Sequence, residues 1–309
     1  MTRPSFSPTS LRGRITAAFG RHYEVLIPAT ATAEARVLRC VPRGKKSIHA
    51  CGDSVDIELT GENGGVIVAT QPRLNLLWRS DAFRQKLIAA NLSLVVIVVA
   101  TEPGFSPQFI SRCLAAVESE QLRALIVLNK SDLSDRLKGA REQLAPFASL
   151  GYTLLEVSAL GDLAALRAAL RGERSIFVGQ SGMGKSTLTN ALIPSAAAAT
   201  AEISTALDSG KHTTTLARMY PLEDGWLIDS PGMQAFGLAH LDEAALEESF
   251  IEFRAHLGQC RFRDCEHEAE PGCAVRAAVE SGAIHPLRFE HFQLIRAEIR
   301  SAARQARGW

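Results

Sequence analysis

Residues Gly179-Gln180-Ser181-Gly182-Met183-Gly184-Lys185-Ser186 place glycine at the first and sixth positions, followed by lysine and a hydroxyl. An apolar run, Ser175–Val178, precedes them, and a helical pattern, Thr187–Leu192, follows. Strand, glycine-rich turn and helix form the setting in which this spacing cradles phosphates. The glycines let backbone N–H groups converge on phosphate oxygens, and the helix N-terminus adds a positive dipole end. Lys185 is placed to reach the β and γ phosphates and Ser186 to hold Mg²⁺, with Thr187 completing the first turn.

Working outward from this loop, apolar strands alternate with helical segments through residues 81–236. The strands are Leu94–Ala100, Ala124–Leu128, Thr153–Val157, Ser175–Val178 and Trp226–Ile228; the helical segments include Gln108–Glu120 and Leu163–Leu170. That alternation predicts a mostly parallel sheet covered on both faces. Asn129-Lys130-Ser131-Asp132 follows the second strand, and Ser158-Ala159 ends the third. An aspartate there can accept two hydrogen bonds from guanine, which adenine cannot supply, and a backbone N–H at Ser158-Ala159 can meet the guanine carbonyl. Ligands of open α/β sheets bind at the carboxyl ends of strands, where all these loops fall.

Asp229-Ser230-Pro231-Gly232 follows the last strand. Asp229 is expected to hold Mg²⁺ through water and the Gly232 N–H to sense the γ-phosphate, although the same residues also make a good turn. The base-reading loop at Asn129 precedes the phosphate loop at Lys185, the reverse of the Ras-like order, so the nucleotide domain reads as circularly permuted. Such rearrangement is tolerated at exposed loops. The glutamine that orients water in Ras-like proteins is replaced by Met233, with Gln234 one residue later. Between the phosphate loop and the sensor lies Gly210-Lys211-His212-Thr213-Thr214-Thr215. Thr214 and its neighbours offer oxygens to Mg²⁺ and the γ-phosphate. His212 reads either as the group that positions water or as a solvent-exposed loop histidine.

Cys260-x4-Cys265-x-His267-x5-Cys273 supplies three thiolates and one imidazole, the stoichiometry of a closed structural zinc site; a disulfide with a spare cysteine is the alternative. The flanking region, 237–309, is expected to be mainly helical. Asp242–Leu257 is acidic and amphipathic, and Leu287–Arg304 carries Phe289, Phe292, Ile295 and Ile299 at helical spacing. Arg296, Arg300, Arg304 and Arg307 line another face, either a phosphate-gripping stripe or a solvated one. Residues 1–80 show short alternating runs, Tyr23–Ile27, Val37–Cys40, Ser54–Leu59 and Gly65–Ala69, which predict a small all-β barrel. This region holds eleven Lys/Arg against six Asp/Glu, a local excess hidden by the net charge of +1 for all 309 residues. No apolar run approaches the ~20 residues of a membrane span, and Met1–Arg14 is polar, so a cytoplasmic protein without a signal peptide is expected.

Taken together, these motifs resemble the ribosome small-subunit-dependent GTPase A family (RsgA, also called YjeQ). The likeness includes the Gly-Lys-His-Thr-Thr-Thr run, Ala274-Val275 after the last cysteine, Gly52-Asp53-Ser54-Val55 and Gln71-Pro72-Arg73. Asn91-Leu92-Ser93 departs from the family's Asn-x-Asp, and Gly-Lys-His from its Gly-Arg-His, which keeps the charge but loses a bidentate fork. The resemblance implies an OB-fold barrel over 1–80, a permuted GTPase domain over 81–236 and a zinc-binding helical domain over 237–309. It also implies a GTPase that assists late maturation of the 30S subunit, contacts 16S rRNA and uses the histidine at position 212 in catalysis; a monomer is expected, although nothing in the sequence decides between monomer and oligomer. Two rivals are an RNA-binding switch that barely hydrolyses GTP and a P-loop ATPase or kinase.

Overall fold

A computed structural model describes residues 10–44, 48–80, 85–196, 217–230, 238 and 240–306. The chain opens with β1 (Ser10–Phe19), β2 (His22–Ile27), β3 (Arg36–Pro42), β4 (Ser54–Leu59) and β5 (Gly64–Thr70), paired in the closed order β1-β2-β3-β5-β4-β1. Closure depends on the length of β1. Its first half, Ser10–Arg14, pairs with Glu58–Ser54, and its second half pairs with β2. A register shift between Ile15 and Ala17 bends the strand between these two partners. Alternate inward residues, including Ile15, Tyr23, Val25, Leu38, Cys40, Val55, Ile57 and Ile67, fill the barrel. β1 looks polar where it begins, and no strand is expected there from the sequence.

The far end of β1 also pairs antiparallel with β12 (Ala217–Leu222), through Ala17 with Arg218 and Ala18 with Ala217. Barrel and α/β sheet therefore share one hydrogen-bonded ladder. A hairpin, β6 (Leu76–Ser80) and β7 (Gln85–Ala90), follows the barrel and was not legible in the sequence. The resembling residues of the first region explain themselves here. Arg73 makes two 2.7 Å bonds to the carboxylate of fully buried Asp53, and Gln71 Nε2 donates to Asp56 at 2.6 Å. Asn91 accepts from Leu74 N–H and donates to Gly52 O, so it ties the barrel to the next sheet.

That sheet runs β10 (Thr153–Glu156), β9 (Arg123–Asn129), β8 (Leu94–Ala100), β11 (Arg174–Val178), β13 (Gly225–Asp229) and β12. All neighbours are parallel except β12 with β13. Every residue of β8 is buried, as a strand covered on both faces requires. The chain moves outward from β8 to β10 and then returns to β11 on the other side of β8. That reversal creates the crevice at which such sheets bind ligands. Around the sheet lie α1 (Pro107–Ser119), α2 (Leu137–Ala148), α3 (Ala164–Leu170) and α4 (Lys185–Leu192). Ser106 caps α1 by accepting from Phe109 N–H.

The remaining helices are α5 (Glu243–Ser249), α6 (Ala274–Glu280) and α7 (Pro286–Ala306). Asp242 caps α5 as its position suggests, but the helix ends at Ser249 rather than continuing to Leu257. Phe250 turns extended there, and Arg254 donates to the terminal carbonyl of Glu248. Phe250, Phe253 and Phe292 then pack as one aromatic cluster with ring centroids 4.8–5.4 Å apart. Among the described residues no helix is long and apolar enough to cross a membrane.

Candidate functional site

The glycines of the phosphate loop are there because nothing else fits. A Cβ on Gly179 would lie 2.3 Å from Val98 O, and one on Gly184 2.4 Å from Asn129 Nδ2. Gly184 also adopts φ +84°, a left-handed conformation costly for other residues. It forms the N-cap of α4 without a side chain, so the first N–H groups of the helix are left for an anion. Ser186 and Thr187 stand exposed on that first turn.

Lys185 curls back over the loop, donating to Gly179 O at 2.6 Å and Gln180 O at 2.8 Å. Burial lowers its pKa, and the Asp229 carboxylate opposes that shift. Burial likewise raises the Asp229 pKa against the pull of Lys185. Desolvation thus outweighs attraction for both. A phosphate beside Lys185 and a divalent cation beside Asp229 would each restore what burial removed.

Asn129, only 1% exposed, is a strut between three loops. Its Nδ2 donates to Met183 O at 2.9 Å and its Oδ1 accepts from Ala159 N–H at 3.1 Å. Of the backbone N–H groups at Ser158-Ala159, that of Ala159 is therefore given to Asn129. Leu160 N–H donates to Ser158 Oγ. Ser131 N–H bonds Val157 O, Lys130 Nζ reaches Glu102 O at 2.8 Å, and the Asp132 carboxylate stands exposed at the strand end. Gln180 Oε1 accepts from Ser106 N–H, joining the phosphate loop to the start of α1 beside a cavity of about 590 Å³. His212, Thr214, Gly232, Met233 and Gln234 lie outside the described residues.

The second cluster gathers Cys260, Cys265, His267 and Cys273, whose ligand atoms all lie within 4.8 Å of one another. His267 Nδ1 is 3.3–3.6 Å from the three sulfurs, and Cys260 Sγ is 3.9 Å from Cys273 Sγ. Zinc bond lengths of ~2.0–2.3 Å give tetrahedral edges of about 3.6–3.8 Å, so the cage fits such an ion. It does not fit a disulfide, whose sulfurs approach to ~2.05 Å. The other ring nitrogen, His267 Nε2, faces Glu247 Oε1 at 3.5 Å, the outer-shell carboxylate that fixes a ligating imidazole. Backbone N–H groups of Ala274 and Arg276 point at Cys260 and Cys273 sulfurs, each 3.4 Å away.

The arginine stripe of α7 is corrected by its surroundings. Arg296 is 3% exposed and bonds Glu266 O and Glu268. Arg300 forks onto Glu243 at 2.6 and 2.9 Å and also reaches Glu266 and Glu268. These two clamp the Cys/His loop and α5 to α7, so they are not a surface for phosphates. Glu243, Glu247, Glu266 and Glu268 are not legible as partners in the sequence because their contacts span tens of residues. Arg304 is exposed, and Arg307 lies outside the described residues.

The fold and the two sites define a class: a P-loop enzyme that hydrolyses GTP, with its base-reading loops moved ahead of its phosphate loop. The family model for "RsgA GTPase" matches residues 70–239. A protein of Paraburkholderia phytofirmans named small ribosomal subunit biogenesis GTPase RsgA is 52% identical over 288 residues, covering 90% of each chain. One of the same name from Nitrosospira multiformis is 49% identical over 298 residues, covering 96% of this chain and 94% of its own. Among solved structures, YjeQ from Thermotoga maritima matches with TM-score 0.72 and 28% identity over 94% of this chain and 98% of its own. YloQ, described as a circularly permuted GTPase, matches with TM-score 0.70 and 25% identity over 97% and 98%. The chain belongs to the RsgA GTPase family.

Proposed function

We propose that this protein is a cytoplasmic GTPase that binds the small ribosomal subunit, assists its late maturation and hydrolyses GTP when the subunit stimulates it. The observation that carries the nucleotide half is the Asn129 amide, which locks the phosphate loop and the loop at Ala159 into one site at the switch point of the sheet. The name borne by the relatives, small ribosomal subunit biogenesis GTPase, carries the ribosomal half.

In this reading Gly179–Thr187 bind the phosphates, and Lys130, Ser131, Asp132, Ser158 and Ala159 frame the guanine. Ser186 and Asp229 would hold Mg²⁺, which when bound neutralises charge on the phosphates. Lys185 steadies the β and γ phosphates, Thr214 and Gly232 sense the third, and His212 positions the attacking water in place of the glutamine that Met233 displaces. Cys260, Cys265, His267 and Cys273 would hold one structural Zn²⁺, leaving no open position for chemistry. We divide the chain into a barrel over 1–80, a GTPase domain over 81–236 and a zinc domain over 237–309, acting as a monomer. The basic barrel, with Arg36, Arg39 and Arg43 exposed on or beside β3, meets 16S rRNA phosphates.

The test is GTP turnover by the full chain with and without purified 30S subunits, with ATP as control substrate. Stimulation of at least tenfold, specific to GTP, is expected. Turnover unmoved by the subunit, or equal with ATP, would refute the proposal.

A further inference from the structure

The arginines around the Cys/His knot fall into two groups. Arg276, Arg288, Arg296 and Arg300 are each bound to a carboxylate or a backbone carbonyl. Arg261 and Arg263 are exposed, and neither has a carboxylate partner among the described residues. Between them stands Phe262, 43% exposed, the one aromatic ring among the exposed large apolar side chains described.

The loop that presents them is anchored at both ends and near its start. Cys260 and Cys265 fix its two ends in the knot. Arg261 N–H donates to Gly272 O at 3.0 Å, and Gly272, at φ +77°, leaves just enough room for the Arg261 stem, since a Cβ there would come within 3.0 Å of Arg261 Cβ. Arg261 Cζ lies 5.6 Å from the Phe262 ring centroid, so one guanidinium already leans on the ring. The acidic groups nearby are mostly spent. Glu266 and Glu268 are held by Arg300 and Arg296, and Glu270 accepts from three backbone N–H groups. Asp264 remains exposed. The ring fills no core, and its exposure costs free energy in the isolated chain.

We propose that Arg261-Phe262-Arg263 is a platform for single-stranded RNA: Phe262 stacks on an unpaired base while the two guanidiniums bind the flanking phosphates. An exposed aromatic between unpaired cations is the chemistry that holds single strands, because every base has a π-face and every linkage a charge. An apolar pocket on a protein would use the ring but leave the two cations without partners. This inference rests on the ribosomal reading above and moves the RNA grip from α7 to the loop of the knot.

The experiment measures affinity for purified 30S subunits by the metal-loaded full chain with a non-hydrolysable GTP analogue, together with chemical modification of the rRNA bases. Phe262→Ala should weaken binding on the order of tenfold. Phe262→Trp should bind as the native chain does, and Phe262→Leu as the alanine variant. An unpaired base protected by the native chain should become reactive in both weakened variants. Arg263→Ala should flatten the logarithmic salt dependence by about 0.7, one phosphate's share on a single strand. Retained zinc and an unchanged melting temperature show that each variant is folded. Phe262→Leu binding like the native chain, with no base footprint, would overturn the inference in favour of a protein contact. Native affinity in Phe262→Ala would overturn it outright. A native chain that ignores 30S subunits would instead bring down the ribosomal reading, and this inference with it.

Discussion

The nucleotide edge and the Cys/His knot are both built from short motifs, yet they are finished differently. At the nucleotide edge Asp132, Ser186 and Thr187 stand exposed, and Lys185 donates to carbonyls of its own loop. In the knot the four ligand atoms are already gathered within 4.8 Å of one another, with Glu247 behind the imidazole and two N–H groups on the sulfurs. The first is a site that must release its ligand after each turnover. The second has no use for release, and its clamps, Arg296 and Arg300, bind the knot to α5 and α7.

The largest effect that could break this contrast is removal of the metal. In small zinc modules the metal's ~10–16 kcal/mol of binding is folding free energy. Chelation, or Cys265→Ser, should therefore melt the helical cover around α6, seen as lost ellipticity and a lower melting temperature. GDP affinity should fall less than tenfold, as read by isothermal titration; a nucleotide site lost together with the metal would deny that the two are separate. Next in size is Lys185→Ala. It removes charge-assisted bonds of ~1.5–3 kcal/mol, so GTP affinity should drop roughly 10- to 100-fold with the melting temperature unchanged.

Asn129→Ala sharpens the contrast from inside the open site. It strands Met183 O and Ala159 N–H, at ~1–3 kcal/mol for each group left buried and unpaired. Unlike Lys185→Ala, it should lower both nucleotide affinity and melting temperature. Arg300→Ala should cost about 1 kcal/mol of stability, since its carboxylate partners are partly exposed, and should leave zinc content unchanged.

The smallest effect at neutral pH lies between the two regions, where buried His291 on α7 meets Ser111 on α1 at 2.8 Å. Burial, and then Arg288, push the His291 pKa down to about 4 from an ordinary 6.5. The folded chain thus stays unprotonated while the unfolded chain takes up a proton. Stability should fall as pH drops from about 6.5 towards about 4 and should be flat in this contribution above 6.5. Chemical denaturation of His291→Gln across that range should show a shallower loss.

How much was legible follows the same division. The phosphate loop, Asn129–Asp132 and the four knot ligands could be read because their chemistry demands particular residue types at short spacing. The central strand Leu94–Ala100 was legible because double-sided burial leaves an unbroken apolar run. β1 was not, since it earns its place by pairing with β4, β2 and β12, all distant in the chain. α2 carries Gly139 and Pro146, which weaken its helical pattern. The true role of Arg296 and Arg300 was hidden for the reason β1 was: the carboxylates that claim them lie 28 to 57 residues away.

The contrast between an exchanging site and a closed one is tested most directly by stoichiometry. The purified full chain is loaded with GDP, dialysed exhaustively against nucleotide-free, chelator-free buffer, and assayed for zinc and nucleotide together. One zinc per chain with no retained nucleotide is the predicted result. Zinc lost along with the nucleotide, or nucleotide kept as tightly as the metal, would contradict it.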